Sequence, residues 1–214
     1  MARESQQNKI KRAQQIVKLL RKYYPNAKCS LDYQNPLQLL IATMLSAQCT
    51  DKRVNIVTPV LFARYKDACA FAEADIHELE EIVRTTGFYK NKAKNIKSCA
   101  TDLVNKYNGE VPRTMEELSA LAGVGRKTAN VVLGNAFDVP GMVVDTHVTR
   151  LSNRLGLAKG EDAVKLEKQL EVVIAKKDWI DFSHLLIEHG RQTCKARNPL
   201  CEKCFLLEHC PQLI

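Results

Sequence analysis

Leu118-Ser-Ala-Leu121-Ala122-Gly123-Val124-Gly125-Arg126-Lys127-Thr128-Ala129 sets two glycines around one apolar residue, between two stretches whose apolar side chains recur at helical spacing. Ahead of it, Thr114-Met-Glu-Glu117 is a capping box that leads into Leu118 and Leu121. Behind it, Ala129, Val132, Leu133 and Ala136 fall on one face of a helix expected over Arg126–Phe137. The segment therefore reads as a helical hairpin. Gly123 and Gly125 let the backbone turn tightly and lie close to a ligand, with no Cβ in the way, while Val124 packs back into the hairpin. The second helix then starts with free N–H groups pointing outward, a favourable place for a phosphate. A bare Gly-x-Gly between helices is most often an ordinary connection. Here Arg126 and Lys127 follow directly, on a basic chain, and they shift the reading towards a polyanion.

Outward from the hairpin the same periodicity continues. Ile10, Ala13, Val17 and Leu20 mark an N-terminal helix. Asn35-Pro36 opens another, with Leu37, Leu40, Ile41, Met44 and Leu45 on its apolar face. Asp51 is expected to cap the next, and Pro59 to kink or shorten it. Asp75-Ile-His-Glu78 is a capping box before Leu79, Ile82 and Val83, with Gly87 as a stop. Ala93, Ile96, Ala100, Leu103, Val104 and Tyr107 define a long helix ended near Gly109. Asp145 caps a helix that ends at Gly156, and two more cover Glu161–Ala175 and Trp179–His189. No alternating run is long enough for a strand, and no repeat or low-complexity linker interrupts the pattern, so the fold class is all-α.

A chain of 214 residues, 45% of them hydrophobic, can bury a real core as one domain or two small lobes. Its apolar runs are too short to span a bilayer, and the N-terminus has no apolar signal core, so no membrane and no secretion are expected. The net charge of +8 is unevenly placed. Arg3, Lys9, Lys11, Arg12, Lys18, Arg21, Lys22 and Lys28 face only Glu4 in the first run; Arg84, Lys90, Lys92, Lys94 and Lys97 form a second without an acid. Two such runs favour a polyanion partner, and charge alone leaves DNA, RNA and membrane open.

Cys194, Cys201, Cys204 and Cys210 are crowded into one C-terminal segment. Only Cys201-Glu-Lys-Cys204 is a Cys-x-x-Cys pair, whereas a structural zinc site more often uses two such pairs. Four thiols in one run, closed by Cys210-Pro211, favour an iron–sulfur cube over an all-cysteine zinc site, and leave disulfides little room. Cys29, Cys49, Cys69 and Cys99 are scattered and read as reduced thiols, which implies a reducing compartment.

Taken together, the hairpin and the cysteine run resemble the helix–hairpin–helix DNA glycosylases, and within them the endonuclease III family of iron–sulfur enzymes acting on oxidised pyrimidines. Leu45-Ser-Ala-Gln48, Gly87-Phe-Tyr-Lys-Asn-Lys-Ala93, Asn108-Gly-Glu-Val-Pro112, Gly123-Val-Gly-Arg-Lys-Thr-Ala-Asn130, Val144-Asp-Thr-His147 and His189-Gly-Arg191 carry the resemblance along nearly the whole chain. It implies a bifunctional glycosylase and abasic-site lyase of base excision repair, a 4Fe–4S cluster held by the four cysteines, and damaged or abasic double-stranded DNA as partner. It also implies two helical lobes with a DNA cleft between them. One is a helical domain over 29–137 that contains the hairpin; the other is a cluster domain made of 1–28 with 138–214. A monomer at the nucleoid, in the cytoplasm, is the expected state.

The family's catalytic lysine falls on Lys127, whose amine would attack C1′ of the deoxyribose; the helix's positive end and Arg126 are expected to favour its neutral form. The family's essential carboxylate maps to Asp145, which also reads as an N-cap, and the two roles are compatible. Gln48 matches the residue that helps fill the gap left by an extruded nucleotide. Phe88 stands where the family often has an aliphatic wedge, and it reads either as a stacking residue or as core. His147 is a candidate organiser of the site, and Lys195 and Arg197 are candidate phosphate contacts held by the cluster loop, alongside Gly123, Val124, Gly125 and Arg126 of the hairpin. Ala122 replaces the usual proline before Gly-Val-Gly, and Thr149 and the Pro140-Gly-Met loop also depart from the pattern. A mismatch adenine branch shares the cluster and hairpin but lacks the lysine, and a catalytically silent relative would be expected to lack Lys127 or Asp145.

Overall fold

The computed structural model describes residues 4–213. Arg3 of the first basic run, and residues 1–3 and 214 of the expected cluster domain, lie outside the described residues. In chain order the α-helices are α1 (Gln6–Tyr23), α2 (Pro36–Leu45), α3 (Asp51–Arg64), α4 (Ala68–Ala72), α5 (Ile76–Val83), α6 (Tyr89–Tyr107), α7 (Met115–Ser119), α8 (Arg126–Phe137), α9 (Thr146–Arg154), α10 (Ala163–Val173) and α11 (Trp179–Gln192). Short 3-10 turns join some of them, and no strand occurs among the described residues. None of these helices is long and apolar enough to cross a membrane.

The chain divides into two compact units. The first, Cys29–Val139, holds α2 to α8. Its central element is α2, in which every residue from Leu39 to Leu45 is buried. A helix apolar on all sides must be surrounded, and α2 packs against α3, α6 and α8. Leu61, Phe71, Leu79, Ile96, Leu103, Leu118 and Val132 complete this core. Asn35 caps α2 through its side chain, with Pro36 at the first position.

Three local expectations for this unit need correction. Thr50, not Asp51, caps α3, its hydroxyl accepting from the Arg53 N–H, while Asp51 is the first helical residue and accepts from the Ser30 hydroxyl. Pro59 does not end α3, which runs on to Arg64 because Val54, Val57, Thr58 and Leu61 are all buried along one face. That burial offsets the roughly 3 kcal/mol a mid-helix proline costs. The Asp75 capping box is only half formed. Asp75 accepts from the His77 and Glu78 N–H groups, but the Glu78 carboxylate turns to Arg64 and Tyr65 instead.

The second unit joins the N-terminal segment with everything from Pro140 on. Here α1 packs on α10 and α11, and α9 on α11. Ile16, Leu20, Leu151, Leu166, Leu170, Phe182, Leu186 and Leu206 form its core. Polar ties reinforce it. Arg12 donates to the carbonyls of Leu155 at 2.6 Å and His209 at 2.9 Å, and Arg21 pairs with Asp178 and Asp181. α10 starts at Ala163 behind the Asp162 cap, and α11 continues to Gln192, three residues beyond the expected His189.

Candidate active site and metal centre

The hairpin is α7, the turn Ala120–Gly125, and α8. Leu118, Leu121 and Val124 are buried, so the turn is pinned from inside, and the Val124 N–H donates to the Leu121 carbonyl. The two glycines do different things. Gly123 has φ +74°, and a Cβ there would stand 2.8 Å from the Asn95 Cβ. Both backbone conformation and crowding demand glycine. Gly125 has φ −94°, and a Cβ would meet nothing within 4 Å. Its bare backbone leaves the outer surface of the turn clear rather than permitting the turn itself. Gly125 is also the N-cap of α8 and offers no side-chain acceptor, a helix start whose positive end suits an external anion. Arg126 and Lys127 are exposed in that first turn.

Asp145 belongs to the other unit. It is half-buried at the N-cap of α9, and its Oδ1 accepts from the Val148 N–H at 2.8 Å. His147, two residues on, is half-buried; its Nδ1 lies 3.3 Å from the Arg150 guanidinium, and a Cβ on Gly190 of α11 would stand 2.7 Å from that nitrogen. This histidine is wedged between α9 and α11. Arg150 also donates to the carbonyls of Gly190 and Cys194.

Gln48 and Phe88 sit on two tight turns of the first unit. Both have left-handed backbones, φ 53° and 49°, and both are exposed, Phe88 to 63%. Phe88 is therefore not a core residue. Lys92, counted in the second basic run, is also misplaced by a surface reading. It is 6% exposed and donates from Nζ to the carbonyls of Leu45 at 2.8 Å and Thr86 at 2.7 Å. Burial pulls its pKa below the usual lysine value. Lys97 donates to the Ala74 carbonyl and the exposed Arg84 pairs with Glu81, while Lys90 and Lys94 are exposed as well.

Cys194, Cys201, Cys204 and Cys210 are half-buried free thiols that line one cavity, with Leu151, Leu155, His189, Leu200 and Leu207. The cavity holds about 440 Å³ of unfilled space, part of it open to solvent. Among the described residues, no three His, Cys, Asp or Glu side chains converge on a single-ion position. Four thiols that line one cavity without converging on a single-ion position suit a polynuclear cluster better than a zinc ion with four sulfurs at about 2.3 Å. The donor set thus fits an iron–sulfur group. Burial pushes the Cys204 and Cys210 thiols up, so a bound cationic centre would be needed to hold them as thiolates.

Around the thiols runs a set of contacts that leave no local signature in the sequence. His189, pulled down to about 4 by burial, is a neutral imidazole. Its Nδ1 lies 3.1 Å from the Tyr24 hydroxyl, itself 3.1 Å from Thr193 Oγ1, and its Nε2 lies 3.6 Å from Cys204 Sγ. With Tyr24 donating to Nδ1, the ring proton sits on Nε2 and points at the sulfur. Arg154 Nη1 lies 3.4 Å from Cys194 Sγ, and the same guanidinium donates to the carbonyls of Lys195 and Ala196. Lys195 and Arg197 remain exposed on that loop.

Comparison with known proteins agrees with this picture. Residues 41–176 match the family described as HhH-GPD superfamily base excision DNA repair protein, and residues 194–210, from the first to the last of the four cysteines, match the iron–sulfur binding domain of endonuclease III. The chain is similar to endonuclease III of Synechocystis sp., with 55% identity over 95% of this chain and 94% of that protein. It is 41% identical to endonuclease III of Escherichia coli K12, over 95% of this chain and 96% of that one. Among solved structures it resembles a trapped endonuclease III–DNA covalent intermediate, with TM-score 0.90 and 45% identity over 95% of this chain and 96% of that one.

Proposed function

The chain belongs to the endonuclease III family of helix–hairpin–helix base excision DNA repair proteins, and from that premise we infer a bifunctional DNA glycosylase and abasic-site lyase whose work its own residues divide as follows. Lys127 is the nucleophile. Its neutral amine attacks C1′ of the damaged nucleotide, the C1′–N bond breaks, and the base departs with the bonding electrons and a proton. The sugar ring opens to leave an imine between C1′ and Nζ. Loss of a C2′ proton then expels the 3′ phosphate and breaks the strand, and water hydrolyses the imine to free the lysine. Asp145 stabilises positive charge as the C1′–N bond breaks and assists proton transfer. Damaged double-stranded DNA is the partner, oxidised pyrimidines are the bases removed, and the nucleoid is where the protein works.

The hairpin turn and the uncapped start of α8 bind a phosphate, with Gly125 leaving room for its approach and Arg126 adding charge. Gln48 and Phe88 fill the space vacated by the extruded nucleotide. Cys194, Cys201, Cys204 and Cys210 would hold the 4Fe–4S cluster, which would supply a rigid cross-link there. Around it Arg154 fixes the backbone that presents Lys195 and Arg197 to phosphates.

The observation that carries this reading is the exposed Lys127 in the first turn of α8, directly behind a turn whose outer surface is bare backbone. Borohydride should trap the wild-type protein on abasic-site DNA as a covalent complex. Lys127→Gln should lose trapping and base release by roughly 10⁴-fold or more, the scale set by losing a covalent nucleophile, while binding DNA almost as well. Near wild-type release of an oxidised pyrimidine by that variant would make water the nucleophile and end the lyase assignment.

A further inference from the structure

Two exposed turns in the first unit have backbones that L-residues adopt at a cost. Left-handed conformations at Gln48 and Phe88 are strained for L-residues and persist only where the surroundings over-determine them. What fixes them lies beneath. Leu45, the last residue of α2, is three residues before Gln48, and Thr86 is two residues before Phe88. Both carbonyls accept from the one buried ammonium of Lys92.

The placement is expensive. Lys92 lies in the first turn of α6, where the helix dipole opposes a cation, and it is almost wholly removed from water. A methionine would fill similar volume without a charge to desolvate. The return on the lysine is what an apolar side chain cannot do. It satisfies a last-turn carbonyl of α2 that has no partner inside the helix, and in the same stroke the carbonyl that ends the 3-10 turn before Gly87. One side chain thereby ties two turns 40 residues apart in sequence.

We propose that Lys92 is a positioning residue for base extrusion, strapping the Gln48 turn to the Phe88 turn so that both side chains enter the duplex together. The proposal rests on the roles given to Gln48 and Phe88 above. Lys92 touches no DNA and acts only through the two turns.

The test compares base release from a duplex with an oxidised pyrimidine, in single turnover, with strand cleavage at a preformed abasic site. An abasic nucleotide has no base to unstack, so its cleavage depends less on the two turns. Lys92→Met should slow base release by about 10–100-fold, the scale of an ångström-sized misplacement, and leave abasic-site cleavage within about 3-fold. In a Gln48→Ala/Phe88→Ala background, Lys92→Met should cause no further loss, because the parts it positions are gone. Equal loss in both reactions, or losses that multiply in the triple variant, would overturn the proposal. If the Gln48→Ala/Phe88→Ala protein releases base at the wild-type rate, the reading of those two residues fails and the proposal with it. Amide exchange separates that failure from a failure of the strap. Lys92→Met should speed exchange in residues 46–50 and 86–90 together, and acceleration of one turn alone would sink the coupling. Should Lys92→Met not fold, Lys92→Gln, with a single shorter donor arm, takes its place in every comparison.

Discussion

The two units solve the same problem with different materials. Residues 29–139 form one continuous stretch, wrapped around α2, and close their core mainly with aliphatic and aromatic side chains. The unit made of α1 and residues 140–213 has an aliphatic core as well, but one side of it ends in four thiols around a cavity, framed by Tyr24, His189 and Arg154. Hydrocarbon packing needs nothing from outside the chain. A cavity lined by thiols becomes a cross-link only when metal fills it, and its binding energy is then part of the folding energy. On the function proposed above, the nucleophile Lys127 belongs to the self-sufficient unit, and Asp145 and the loop of Lys195 and Arg197 belong to the metal-dependent one.

That contrast can be broken experimentally. Cys204→Ser, by costing the cluster a ligand, should lower stability by about 4 kcal/mol or more, and amide exchange should show the loss in residues 140–213 while 29–139 stays protected. Uniform loosening of the whole chain would erase the distinction. Arg154→Met removes two donors to the Lys195 and Ala196 carbonyls and should cost about 1–3 kcal/mol, with weaker DNA binding and a shallower salt dependence. An unchanged salt slope would detach the cluster loop from phosphate contact.

Within the first unit, the glycines of the hairpin sharpen the picture. Gly123→Ala places a Cβ 2.8 Å from Asn95 in a left-handed backbone, and thermal melting should show a loss of about 1–3 kcal/mol. Gly125→Ala meets no neighbour, so stability should hold within about 0.5 kcal/mol while DNA affinity falls. If Gly125→Ala binds DNA normally, the turn's outer surface is not where a phosphate sits. Ala122→Pro is the smallest effect, a gain of about 0.4–1 kcal/mol from a stiffer unfolded chain, read as a raised melting temperature.

Helices and their starts were largely legible because their causes are local. Asn35, Asp145 and Thr114 sit within three residues of the N–H groups they satisfy, and apolar periodicity needs only its own segment. The hairpin and the cysteine run were legible for the same reason. Lys92 was not, because one of its acceptors lies 47 residues away and a lysine in a basic run gives no sign of burial. Arg12 was miscounted in the same way, its guanidinium reaching carbonyls 143 and 197 residues on. The setting of His189 is equally hidden, since the tyrosine beside its Nδ1 lies 165 residues away in sequence. The net charge of +8 thus overstated what is free to meet a polyanion.

The arrangement of the second unit also has a consequence in time. A ribosome releases α1 first, with Ile16 and Leu20 destined for a core whose other walls come from the last third of the chain. At about 5–20 residues per second, the wait after Val139 is of the order of 4–15 s. The first unit, being continuous, is free to fold during that interval, while α1 keeps its apolar stripe uncovered. Tyr24 meets His189 only near the end of synthesis. Slowing translation past Pro140 should therefore lengthen the exposure of α1 to chaperones and proteases without touching residues 29–139.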